Sequence, residues 1–273
     1  MRWTRTEIAR VFRERGIRPK KFLGQNFLVD GNFLDAIVRA AEIGPKHGIV
    51  EIGAGVGNLT ERLAENAGHV WAFEIDPQLF EIASIFLEDA SNVTLVNLDG
   101  AEFASRMDPG ACEPVKVVSN LPYSDYHRIL MRLLSTTIPV EGFYLMLQRD
   151  VVDRLAAGPG EDAYGPISAI VGGLFELKRL RKAGRGLFWP APRVESVFFR
   201  LRRREGGSFE CAPTEISRLE KGLRALFAQR RRKLSSVARR LGAPLGDMFP
   251  ELADRRVESI EPATLLTLAG LLK

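Results

Sequence analysis

Hydrophobic positions along the chain fall into two rhythms. Four short apolar runs, GIVEI at 48–52, HVWAF at 69–73, VTLVNL at 93–98 and VKVVS at 115–119, are each bounded by glycine or polar residues and predict strands. Between them, 58–67 and 77–89 have helical spacing, and the second opens on Pro77, a favoured first-turn residue. Upstream, 4–15 predicts a basic helix and 17–30 a loop. An amphipathic helix follows over 31–43, with Phe33, Leu34, Ile37, Val38 and Ala41 on one face. Downstream, strands are predicted at 142–147 and 195–201, and a helix near 164–174. Strand alternating with helix predicts an α/β fold, a parallel sheet wrapped by helices. Residues 202–208, RRREGGS, interrupt the pattern. Beyond them 214–241 predicts one long helix with Leu219, Leu223, Leu226, Phe227, Leu234, Val237 and Leu241 as its apolar face, and 262–272 a last one. The expected organisation is an α/β domain over 1–204, including a basic N-terminal segment at 1–30, and a small helical domain over 205–273.

Composition changes this picture little and charge changes it more. A chain of 273 residues, 45% hydrophobic and 27% charged, can bury a real core and shows no sign of disorder. No apolar run approaches membrane-spanning length, and the polar, arginine-rich start lacks the apolar core of a signal peptide. The expectation is a soluble cytoplasmic protein without a membrane partner. Cys112 and Cys211 lie far apart, as suits a reducing compartment. His47, His69 and His127 have no metal-ligand spacing, so no metal is expected. Residues 40–120 carry four Lys/Arg against thirteen Asp/Glu, whereas residues 178–273 carry 22 against ten and residues 1–39 nine against four. An acidic centre between basic ends points to nucleic-acid contact.

The strongest local signal is EIGAGVGNLT at 51–60, with Gly53, Gly55 and Gly57 between a strand and a helix start. Glycines there let the backbone turn sharply and approach a ligand closely. Glu74 ends the next strand, where an acid can accept both hydroxyls of a ribose. Asp99 ends the third, where a carboxylate can accept an adenine amino group, and Asn120 ends the fourth. A dinucleotide would normally bring the longer G-x-G-x-x-G spacing, and ATP a P-loop lysine that is missing. Glu51, directly before Ile-Gly, suits a cofactor bearing an ammonium group, as S-adenosylmethionine does. In Asn120-Leu121-Pro122-Tyr123 an amide oxygen and a backbone carbonyl can accept both protons of an exocyclic amine, while Tyr123 offers a face for a base. In-line transfer from a sulfonium needs positioning above all, and no general base is evident.

The stretches KKFLGQNFLVD (20–30), EIGAGVGNLT (51–60), FEID (73–76), LD (98–99), NLPY (120–123), LQRDVVDRLAAGPGEDAYG (147–165), FWPAPRVESVFFRL (188–201), LFAQRRRKL (226–234) and RVESIEP (256–262) span nearly the whole chain. Together they resemble the ribosomal RNA adenine N6,N6-dimethyltransferase family, most like its bacterial small-subunit members. The resemblance implies a Rossmann-like class I methyltransferase sheet with a small C-terminal helical domain. It implies S-adenosylmethionine as cofactor and two adjacent adenosines in the 3′-terminal hairpin of 16S rRNA as target. Gln25, Asn26 and Leu28 would close over the cofactor, Gly53 and Gly55 pass beneath it, Glu74 with Ile75 hold its ribose and Asp99 its adenine. Asn120 and Leu121 would present acceptors, and Tyr123 and Phe188 would sandwich the target adenine. Turning that base out of folded RNA requires a grip on the backbone. The segment 221–246 holds eight Lys/Arg and no acid, and Arg230, Arg231, Arg232 and Lys233 are its candidate phosphate contacts. Two departures stand out. Ser124-Asp125-Tyr126 replaces the usual Asn-Ile-Ser after NLPY, a change expected in the shape of the pocket wall and not in the acceptors. Gly100 replaces the usual Ala after Asp99, from which only local backbone freedom is expected. Other readings are a 23S rRNA methyltransferase of the macrolide-resistance type, a non-catalytic RNA-binding factor on the same fold and, distantly, an NAD-dependent oxidoreductase. A monomer that takes part in small-subunit biogenesis is expected.

Overall fold

A computed structural model describes residues 4–20, 23–107, 110, 112, 114–206 and 209–272. Lys21 and Phe22 of the first family stretch, and residues 207 and 208 of the charged break, lie outside the described residues. The chain forms two compact units, residues 1–149 with 178–201 and residues 150–177 with 202–273.

The first unit begins with α1 (Arg5–Glu14), where Thr4 and Glu7 form a reciprocal capping box. It continues through β1 (Phe27–Leu28), α2 (Gly31–Ala40), β2 (Gly48–Ile52), α3 (Asn58–Ala64), β3 (His69–Phe73), α4 (Pro77–Phe86), β4 (Val93–Val96), β5 (Val115–Asn120), α5 (Tyr126–Leu134) and β6 (Val140–Gln148). The second unit takes up α6 (Arg149–Ala156) and α7 (Pro166–Leu174). The chain then returns through β7 (Phe175–Ala183), β8 (Phe188–Trp189) and β9 (Ser196–Arg203). Seven strands form one sheet in the order β4-β3-β2-β5-β6-β9-β7. β2 pairs in parallel with β3 and β5, β3 with β4 and β5 with β6, while β9 lies antiparallel to β6. The central strands are buried on both faces, which is why they read as unbroken apolar runs. From β2 the chain winds outward through β3 and β4, then crosses back to start again at β5. The switch point between β2 and β5 opens a crevice at the carboxyl ends of the strands.

Sequence and structure differ in three places here. Residues 17–30 are not all loop, because Phe27 and Leu28 pair antiparallel with Trp189 and Phe188 as a separate two-stranded sheet. The apolar pattern does not predict β7; its exposed Lys178, Arg179, Arg181 and Lys182 mask its period, as charged residues do on an edge strand. The single helix expected over 214–241 is two, α8 (Ile216–Phe227) and α9 (Leu234–Leu241). The backbone between them bonds elsewhere: the N–H groups of Leu234, Val257 and Glu258 donate to Arg255, Arg232 and Arg230 carbonyls.

The second unit closes with α10 (Leu245–Met248) and α11 (Pro262–Gly270). It is larger than the expected helical domain over 205–273, since residues 150–177 belong to it. α7 buries most of its length against α8 and α11, a partnership between segments too distant in sequence to read from the pattern. The loop before α7 is fixed to the same unit. The Tyr164 hydroxyl donates to the Ile260 carbonyl at 3.0 Å and its ring meets Phe227 edge-on. Among the described residues no helix is long and apolar enough to cross a membrane.

Candidate functional site

A cleft of about 970 Å³, open to solvent, lies at the carboxyl ends of the strands in the first unit. The turn after β2 forms its floor. Gly53, Gly55 and Gly57 adopt φ of 78°, 61° and 90°, left-handed values that a side chain would strain. A Cβ on Gly53 would lie 3.2 Å from Pro122, so the turn and the NLPY segment meet closely. Gln25, Asn26, Leu28, Gly53, Gly55, Glu74, Ile75, Asp99, Asn120 and Leu121 all line the cleft, and the structure thus brings together every expected cofactor residue.

Each acid has a defined setting. Glu74 is buried; its Oε2 accepts the Gly55 N–H at 2.7 Å and its Oε1 the Asp76 N–H at 2.9 Å. Burial pushes its pKa up, against the pull of those two amides. Glu51, also buried in the cleft wall, is pushed up to about 8 by burial, with the neighbouring Glu74 adding to the shift. Asp99 accepts the Ala101 N–H on Oδ1 at 2.9 Å and an Arg128 N–H on Oδ2 at 2.8 Å. Ile75, half-exposed, offers an apolar face. Among the described residues the ionisable lining is Glu51, Glu74, Asp99 and Asp125 against Arg128. Burial holds Glu51 neutral, and the rest is a set of acceptors with one cation that is itself engaged by Asp99 and Asp125. Such a lining offers phosphate little grip and offers acceptors to hydroxyl, amino and ammonium groups, so the residues present fit S-adenosylmethionine.

The N-terminal segment straps the cleft. Burial would raise Asp76, but hydrogen bonds from Lys20, Gln25 and the Gln78 N–H outweigh it and hold its carboxyl below the ordinary range. Lys20 Nζ and Gln25 Nε2 reach Asp76 at 2.9 and 2.8 Å. Gln25 also accepts the Lys20 N–H at 2.7 Å, so its amide works as a fastener. Asn58 Nδ2 donates to the Leu28 carbonyl at 2.8 Å, and Gly24, at φ 65°, lies so close that a Cβ would sit 2.9 Å from the Tyr123 nitrogen. Asn120 joins the strap to the NLPY turn: its Nδ2 donates to the Asn26 carbonyl at 3.1 Å. Its Oδ1 is buried and has no hydrogen-bond partner among the described residues. Asp76, Lys20 and Asn58 escaped sequence reasoning, although FEID, KKFLGQN and EIGAGVGNLT already contained them.

The aromatic sandwich is not seen. Phe188 is fully buried, paired with Leu28 and packed among Val118, Tyr144, Met146 and Phe198, and offers no face to a ligand. Tyr123 does not line the cleft; its hydroxyl lies 2.7 Å from Ser196 Oγ and burial pushes it up to about 12. Pro122 and Leu121 line the wall instead. Gly100 also departs from expectation. A Cβ there would fall 2.2 Å from Ile52 Cγ2, so the residue answers to packing rather than to backbone freedom.

The basic run of the second unit divides in two. Arg230 is half-buried and engaged within the unit: its guanidinium donates to the Asp162 carbonyl at 2.7 Å and pairs with Glu258 at 3.1 Å. Arg231, Arg232 and Lys233 are exposed, Lys233 with an ion pair to Asp254 at 2.7 Å.

Comparison with known proteins accords with this geometry. The model of the family described as ribosomal RNA adenine dimethylase matches residues 16–262. The chain is 42% identical over 225 residues to ribosomal RNA small subunit methyltransferase A of Bacillus mycoides, covering 80% of this chain and 76% of that protein. The same figures hold for the protein of that name from Bacillus cytotoxicus. Among solved structures, a dimethyladenosine transferase from Plasmodium falciparum superposes with a TM-score of 0.75 at 21% identity, over 89% of this chain and 95% of that one. The 23S rRNA methyltransferase ErmE superposes with a TM-score of 0.64 at 26% identity, over 90% and 99%.

Proposed function

The chain belongs to the ribosomal RNA adenine dimethylase family, and from that premise we propose how its cleft serves the reaction. The protein is an S-adenosylmethionine-dependent enzyme that dimethylates N6 of adenosine in small-subunit ribosomal RNA. Its target, as family membership implies, is the adjacent adenosine pair of the 3′-terminal hairpin. Glu74 and Ile75 hold the cofactor's ribose, Asp99 its adenine, and the strap around Asn26 and Leu28 covers it. S-adenosylmethionine, when bound, supplies an electrophilic methyl group on a sulfonium.

The observation that carries this reading is Asn120. With its amide nitrogen engaged by Asn26, its buried Oδ1 remains as an acceptor without a partner among the described residues. Buried polar atoms are rarely left unpaired, and this one belongs to a residue that lines the cleft, where a ligand can complete it. An N–H of the flipped adenine's amine satisfies this oxygen, and the Leu121 carbonyl takes the other, which turns the nitrogen lone pair toward the donor. After the first transfer one N–H remains, and one acceptor is enough to orient it again. No side chain need remove a proton early, because the methylated amine can release it to water. Arg231, Arg232 and Lys233 supply phosphate contacts. We infer a cytoplasmic monomer acting on a small-subunit precursor.

The test is methyl transfer from labelled S-adenosylmethionine to unmodified 30S particles and, separately, to 23S rRNA, with the digested nucleosides resolved. Label in N6,N6-dimethyladenosine from the 30S particles alone is the expected result. Label from 23S rRNA would make the enzyme a large-subunit methyltransferase. Cofactor binding with no label on either would make it a binding factor.

A further inference from the structure

Arg128 occupies an unusual place. It is the third residue of α5, within the helix's first turn, where the unpaired backbone N–H groups make a cation unwelcome. Two carboxylates account for it. Arg128 Nε donates to Asp125 Oδ2 at 2.7 Å, a second N–H reaches the same oxygen, and Nη2 also donates to Asp99 Oδ2 at 2.8 Å. Asp125 stands at the N-cap position, yet its side chain caps nothing and is turned to Arg128 instead. All three residues line the cleft. The Ser124-Asp125-Tyr126 departure therefore supplies the carboxylate that seats a guanidinium against the adenine end of the site.

We propose that Arg128, seated by Asp125, is a positioning residue that fixes the Asp99 carboxylate and so sets the cleft's selectivity for a purine bearing a 6-amino group. The inference rests on the reading of Asp99 as the adenine contact. Asp99 is clamped from both sides, by the Ala101 N–H on one oxygen and by Arg128 on the other. A clamped carboxylate keeps its remaining lone pairs on a fixed line. A 6-amino group donates to it, whereas a 6-oxo group brings a second acceptor and is repelled. A carboxylate free to swing would retain part of the attraction and lose much of the repulsion, because it could turn aside. Sites built around a fixed hydrogen bond reject the mismatched analogue far more strongly than sites that merely enclose a shape.

The experiment is calorimetric titration of the 273-residue chain with S-adenosylhomocysteine and with S-inosylhomocysteine, its 6-oxo analogue. The proteins are wild type, Arg128→Met, Arg128→Lys, Asp125→Asn and Asp99→Ala, each checked by circular dichroism. In Arg128→Met, S-adenosylhomocysteine should bind about tenfold more weakly, the scale of one charge-assisted hydrogen bond, and the preference over the 6-oxo analogue should shrink by a similar factor. Asp125→Asn should move both in the same direction by less. Arg128→Lys, with a point charge in place of a fork, should fall between wild type and Arg128→Met. A weaker affinity with the preference intact would overturn the proposal and leave Arg128 a purely structural residue. So would wild-type binding of both ligands by Arg128→Met alongside a clear loss in Asp99→Ala. Full affinity in Asp99→Ala would instead overturn the underlying reading of the adenine contact.

Discussion

Glu51 and Glu74, from neighbouring strands, share the cleft wall, and they answer to pH and to mutation differently. Glu51 is held at about 8 against an ordinary 4.5, so the fold buries its neutral form. Its contribution to stability is therefore full below about 4.5 and is lost as pH rises through about 8. Glu51→Gln, neutral throughout, should melt near wild type below about pH 4.5 and increasingly above it as pH rises to about 8, beyond which the gap levels off, in ligand-free thermal scans. A gap that does not widen would place that carboxyl in water. For the reaction itself, Glu74→Ala should weaken S-adenosylhomocysteine binding strongly, whereas Asn120→Ala should abolish transfer with a smaller loss of that binding, since it also frees one fastener of the strap. Calorimetry beside a transfer assay separates the two, and equal affinity losses would dissolve the division of roles. Glu74, Asp99 and Asn120 were legible because a polar residue at the end of an apolar run marks a strand's carboxyl end. Tyr123 and Phe188 were not. Whether an aromatic faces a cleft or a core depends on which distant strand it meets, and here Leu28 and Ser196 decide it. Nothing local in the sequence announced Arg128, whose meaning lies in two carboxylates from different elements.

At the scale of elements, the strap formed by Lys20 and residues 23–28 is the part whose behaviour least resembles its sequence, which reads as loop. It is fastened at Asp76, at Asn58 and at Asn120, and Gly24 gives it the room to seat. Gly24→Ala adds a Cβ 2.9 Å from the Tyr123 nitrogen at a left-handed φ of 65°. The left-handed penalty alone is about 1–2 kcal/mol, so S-adenosylhomocysteine affinity should fall about tenfold or more and transfer with it. Melting temperature should change little. Wild-type affinity would mean that the segment seats without touching the NLPY turn. The helix break after Phe227 escaped the pattern for a related reason. The apolar face continues in register through the break, and only the backbone partners at Arg255, Val257 and Glu258, supplied from further along the chain, interrupt it.

For the whole molecule, the charge asymmetry seen in the sequence becomes two different things. The acidic centre lends Glu51, Glu74 and Asp99 to the cofactor cleft, while the basic run after α8 separates into a staple, Arg230, and three exposed residues, Arg231, Arg232 and the ion-paired Lys233. Arg230→Ala should destabilise the second unit, because it strands Glu258 and frees the loop around Asp162. Charge reversal at Arg231 and Arg232 should leave stability nearly unchanged and flatten the salt dependence of RNA binding, by roughly 0.7–0.9 for each phosphate that is no longer neutralised. Filter binding across a salt series, with parallel denaturation curves, distinguishes these fates, and an unchanged slope would remove the pair from the RNA footprint. The α/β order was legible from periodicity alone, but the boundary between units was not, since residues 150–177 take their partners from beyond residue 202.

The pairing of Phe27 and Leu28 with Trp189 and Phe188 has a bearing on synthesis. Once it leaves the ribosome, this strand must wait for a partner roughly 160 residues behind it, on the order of ten to thirty seconds at ordinary elongation rates. Phe12 waits for the same Trp189 ring, 5.2 Å from its own. Until then the strap has no second strand to lie against. A nascent chain can thus assemble the central strands of its sheet before its cofactor cleft is roofed. Competence to bind arrives late, near the point where the ribosome is already translating the helical tail.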